Sequence, residues 1–181
     1  MAVTVTPTNF VFVKFDGALA VGLIEELLER LGMAGRDVKI EIDETTPLAR
    51  SEIKSTDPIT IAVESGAFEN PKVLRTLLAD NVNNVTGRLL LRIRDRESGA
   101  FDDAPADSAL TLPQLVAWEV YSNGRLGRLG YPPQRQRWLY HFRNRHGFTD
   151  TVDAAFERLW EADDLSWSDI SAIIATAAPV A

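Results

Sequence analysis

Four side chains are best placed to do chemistry: Arg125, Arg128, Arg137 and His141. A guanidinium is planar, permanently charged and suited to gripping a carboxylate or phosphate through two parallel hydrogen bonds. An imidazole changes charge near neutral pH. All four lie in residues 121–146, YSNGRLGRLGYPPQRQRWLYHFRNRH, which hold six arginines, both histidines and all three tyrosines, with no acidic residue. The segment carries a formal +6 in a chain whose net charge is -7. On a helix expected over 133–146, Arg137, His141 and Asn144 recur at i, i+4 and i+7 and share one face. Trp138, Leu139 and Phe142 define the opposite, buried side, with Arg135 and His146 beside them. His141 is therefore the outward, functional candidate and His146 a structural one. Arg125, Arg128, Arg137 and His141 form the expected binding face, for a protein partner or a small anion.

A structural reading competes with this one. Asp150 to Asp169 holds seven carboxylates and one arginine, a net of -6. The basic and acidic segments can pair within the molecule, with Asp153, Glu157 and Glu161 as acceptors. Arg143, Arg145 and His146 also fall in a last helical turn, where the helix dipole favours cations by ~0.3–1 kcal/mol each.

Several chemistries lack their residues. The chain has no cysteine, which removes disulfides, thiolate metal sites and a cysteine nucleophile. The two histidines stand five apart, about 140° around a helix, so no dedicated zinc site is expected. No Ca-loop pattern is present, which leaves a magnesium or calcium site made of carboxylates alone open. There is no G-x-S-x-G elbow, no phosphate-binding P-loop and no G-x-G-x-x-G. Carboxylate pairs such as Asp102-Asp103 and Asp163-Asp164 fall in expected loops rather than clefts. We expect no cofactor and no metal. An acidic net balance with a small basic patch disfavours nucleic acid, whose affinity rests on phosphate neutralisation.

The elements that must position these groups follow from periodicity. The sequence predicts an α+β chain: a small β-α-β-β-α unit over 1–94, a linker over 95–109, and a helical layer of about four helices over 110–181, packed with the first unit as one body. Strands are expected at 9–15 (NFVFVKF), 38–43 (VKIEID) and 58–64 (PITIAVE), with a polar connection over 44–57. Helices are expected at 18–31 and 71–94, the latter opened by Asn70 and Pro71 as N-cap and first-turn residues. The linker carries Gly, Pro, Asp and Ser between two periodic stretches and is expected to be mobile. Beyond it, Thr111 and Gln114 form a capping box. Helices follow at 112–129, 133–146 (ending at Gly147), 151–162 and from Ser166. Trp118, Trp138, Trp160 and Trp167 all lie here and are expected to build a core.

The N-terminal residues have no signal-peptide pattern, and no run reaches the ~18 apolar residues of a membrane span. The expected setting is cytoplasmic, without a membrane partner. The leading functional expectation is a non-enzymatic interaction or regulatory module, partnered by a protein or by self-association, with an Arg- and aromatic-rich helical face. The alternative is an enzyme that clamps an anionic small substrate with arginines and uses His141 as acid or base. A deep cleft lined by Arg92, Arg128 and His141 would favour the enzyme; an exposed aromatic face would favour the module.

Overall fold

A computed structural model describes residues 2–132 and 134–177. The chain is α+β, with a four-stranded mixed sheet, a two-stranded sheet and six helices among the described residues. It divides into two compact units, one up to Leu90 and one from Leu91 onward.

In the first unit the strands are β1 (Val3–Thr6), β2 (Val38–Asp43), β3 (Ser51–Thr56) and β4 (Ile59–Glu64), in the order β1-β2-β4-β3. β1, β2 and β4 are parallel; β3 is the antiparallel edge. Alternation fixes the register, because a one-residue slip would turn every apolar side chain to the wrong face. Val5, Ile40, Ile61 and Ile53 are paired in succession across all four strands. Val3, Val38, Ile42, Ile59 and Val63 complete the buried face. Helix α1 (Gly17–Arg30) packs beside β1 and buries Ala20, Ile24, Leu27 and Leu28. It starts where Asp16 accepts the Leu19 amide, supplying one of the helix's orphan donors with a partner.

Two expected elements are corrected. Residues 9–15 do not form a sheet strand. The N-terminal strand is the shorter β1, and only Lys14 makes an isolated bridge, to Thr76. The expected helix over 71–94 starts later. Asn70 accepts the Lys72 amide in an Asx turn. That turn joins β5 (Glu69–Asn70) to β6 (Val73–Leu77), and helix α2 (Ala79–Glu97) begins only after Leu78. Part of the 44–57 connection also folds, as β3.

The second unit holds α3 (Leu112–Arg128), α4 (Arg135–His146), α5 (Asp150–Glu161) and α6 (Trp167–Ala177). The Thr111–Gln114 capping box opens α3, and Gly147 at φ 111° ends α4. Thr149 caps α5 by accepting the Val152 amide. All four tryptophans are buried, and they share one core with Phe101, Phe142 and Phe156. The segment 95–109 is tied to this core. Its first three residues continue α2 to Glu97, Asp95 is buried, and Phe101 stacks on Trp118 with centroids 4.8 Å apart.

Candidate functional site

The six arginines of residues 121–146 separate by depth. Arg125 is the deepest. Its guanidinium donates to both carboxylate oxygens of Asp95 at 2.7 Å each, and both side chains are only 6% exposed. The Trp118 indole N–H donates to the same carboxylate at 2.7 Å, and the guanidinium lies 3.8 Å over the Tyr121 ring. A desolvated charge pair is tolerable only when geometry is good and additional hydrogen bonds support it; here the indole bond adds to the two guanidinium bonds on the carboxylate, while the buried Arg125 Nε–H has no partner among the described residues. Tyr121 in turn donates to the Asp163 carbonyl (2.8 Å) and accepts the Leu165 amide (3.0 Å). Burial raises the pKa of its phenol.

Arg128 closes the far end of α5. It donates to the Trp160 and Ala162 carbonyls (2.6 and 2.5 Å) and to the Asp163 carboxylate (2.8 and 3.0 Å). A cation at these orphan carbonyls satisfies both hydrogen bonding and the helix dipole. Arg143 grips Asp153 through two bonds, of 2.7 and 2.5 Å, and Arg135 pairs with Glu157. Arg143 accordingly holds the Asp153 carboxyl below its ordinary range. Arg92, from α2, is buried, bonded to Asp107 at 2.8 Å and set 5.2 Å over the Trp118 ring. The acidic segment thus neutralises much of the basic one within the unit.

What remains outward is one face of α4. Arg137 and His141 are exposed one turn apart, as helical phase requires, with Asn144 and Arg145 also exposed and Tyr140 60% exposed. Arg137 donates to the Gln134 side chain (2.9 Å). The His141 ring is held below its usual pKa by partial burial and by Arg137 and Arg145, against an opposing pull from Glu119. His146 takes the other side. Its ring lies 4.2 Å from the Phe142 centroid, its Nε2 is 3.2 Å from the Pro113 carbonyl, and burial lowers its pKa. Of the four expected binding residues, Arg137 and His141 come together on this face; Arg125 and Arg128 are engaged inside the unit. No three His, Asp or Glu side chains are grouped to hold a metal among the described residues, nor is any helix there long and apolar enough to cross a membrane.

The first unit has a cleft of about 950 Å³ where β1, β2 and β4 end, lined by Thr6, Glu41, Asp43, Glu64, Arg50 and Arg88 among others. Sequence patterning did not anticipate it, because its residues converge from four strands and a helix. Within it Glu41 pairs with Lys39 and Glu52 with Lys54, and Arg88 donates to the Ser51 hydroxyl.

No protein-family model, no curated protein and no solved structure matches this chain.

Proposed function

We propose that the chain is a non-enzymatic interaction module whose outward α4 face docks an acidic segment of a protein partner. One observation carries the reading. Arg137 and Arg145 stay on the solvent side with Tyr140 and His141, while Arg135 and Arg143 on the same helix are neutralised by α5. Helix α4 contains no carboxylate of its own. Tyrosine and arginine are the residue types that interface anchors favour. The small-anion enzyme reading loses two of its four groups, since Arg125 and Arg128 already hold Asp95 and the α5 end.

The test is cross-linking of the full chain in extracts of its source organism, with mass-spectrometric mapping. Partners should join near Tyr140 and Arg145 through acidic segments, and Arg137→Ser with Arg145→Ser should remove them. Capture unchanged by that pair would refute the assignment.

A further inference from the structure

The first unit holds apolar side chains in solvent by design of its hydrogen bonds. Val11 is 79% exposed, Leu74 78%, and Phe12 and Val73 54% each. Single exposed apolar residues need no explanation, but a contiguous group does. These belong to one locality. The Lys14 amide donates to the Arg75 carbonyl at 2.7 Å, the Arg75 guanidinium donates to the Phe12 carbonyl at 2.6 Å, and Lys14 bridges Thr76.

Flexibility does not account for this exposure. One carboxylate oxygen of Glu44 accepts the amides of Val11, Phe12 and Val13, at 2.7, 2.6 and 3.3 Å. Val13 is turned inward and buried, which anchors the loop. Arg75 adopts φ 62°, a left-handed conformation that disfavours side chains other than glycine. Its amide is met by Glu69 and its side chain by Phe12. The backbone polarity of residues 11–13 is therefore largely satisfied from within. What faces outward is apolar, with exposed Lys14, Lys72 and Arg75 around it; the neighbouring Glu44 and Glu69 carboxylates are half-buried and turned onto the loop amides. An apolar centre with a charged rim is the anatomy of a protein interface.

We infer that Val11, Phe12, Val73 and Leu74 form a second docking surface, on the first unit, for a protein segment that carries apolar side chains flanked by carboxylates. Charge complementarity selects this occupant. A second copy of the same patch would bring Lys14, Lys72 and Arg75 against their own kind. An anionic membrane is the weaker fit, because three cations fall short of the usual cluster of about four to eight.

The experiment selects from a display library of random peptides of about twelve residues against the full chain, then measures the winners by fluorescence anisotropy. The expected winners combine Leu, Ile or Phe with Asp or Glu. They should lose about tenfold or more in affinity on Phe12→Ser with Leu74→Ser, as anchor truncations do. Lys14→Glu with Lys72→Glu should weaken them and flatten their salt dependence. Arg137→Ser with Arg145→Ser should leave them unchanged, which separates this surface from the α4 face. Thermal melting of each variant checks folding, and the lysine pair keeps the test decisive if the apolar pair misfolds. Winners lacking carboxylates, winners indifferent to both patch variants, no enrichment at all, or capture by phosphatidylserine vesicles in place of peptides would each overturn the inference.

Discussion

Asp95 and Arg125 form a bidentate ion pair sealed in the helical unit, with both bonds at 2.7 Å and the Trp118 indole donating to the same carboxylate. Breaking a buried pair from one side leaves a charge without compensation, which costs about 3–5 kcal/mol. Asp95→Ala should therefore destabilise the second unit by that order. Arg125→Met with Asp95→Leu should recover much of the loss, since apolar replacement of both partners is often neutral. Denaturant melts of the single and double variants check this; a mild Asp95→Ala would refute it.

Gly124 is where α3 meets the end of α5. A Cβ there would stand 2.0 Å from the Trp160 carbonyl oxygen and 2.8 Å from its carbon. Backbone rather than a flexible side chain is in the way, so one helix must shift. Gly124→Ala is expected to destabilise by at least the ~1–3 kcal/mol typical of overpacking, despite alanine's better helix propensity. A more stable Gly124→Ala protein in thermal melts would show that the helices do not approach this closely.

Both histidines are held below the ordinary value of 6.5. A depressed imidazole contributes stability that is present above 6.5 and lost as pH falls through the folded value, because the unfolded chain binds the proton first. Asp43, Asp153 and Asp169 are held below 3.8 by hydrogen bonds, so their contribution is lost only in stronger acid. The melting temperature should decline between about pH 7 and pH 5. His146→Gln should flatten that slope and lower the plateau more than His141→Gln, because His146 packs on Phe142 and meets Pro113. Melts across pH decide it; a larger stability loss from His141→Gln would reverse the two roles.

The α4 face should be thermodynamically quiet. Arg137→Ser with Arg145→Ser removes exposed side chains away from the core, so stability should change by less than about 1 kcal/mol. A matched control, Arg143→Ser, breaks the two bonds to Asp153 and should cost more. Urea titration of the two proteins separates them. A loss well above about 1 kcal/mol from the double variant would mean that the outward arginines are structural.

Much of the fold is legible where several local signals agree. α3 carries its capping box, α4 its terminal Gly147, and β2 and β4 their alternation; each falls within a few residues of expectation. The misreadings come from residues that serve two purposes. Asn70-Pro71 suits a helix start, but the Asn70 side chain turns the chain back instead, and Leu74 and Leu77 fit a strand as well as a helical stripe. Residues 9–15 look like a strand by composition, yet the Val11, Phe12 and Val13 amides are met by Glu44 rather than by a ladder. On α4, helical phase placed Arg137 and His141 on the exposed side, as the structure has them. It had no access to the engagement of Arg125, whose partner lies 30 positions upstream, or of Arg128, which bonds main-chain carbonyls that no side-chain pattern encodes.

The position of Asp95 also determines where this chain can be cut. A fragment that starts at residue 110 would keep all four C-terminal helices and still discard the carboxylate that meets Arg125 and Trp118 and the ring of Phe101 that stacks on Trp118. Its central arginine would face an apolar interior with no counter-ion. Expression trials of the helical half should accordingly begin within or before α2, where the sequence still reads as though it belongs to the preceding unit.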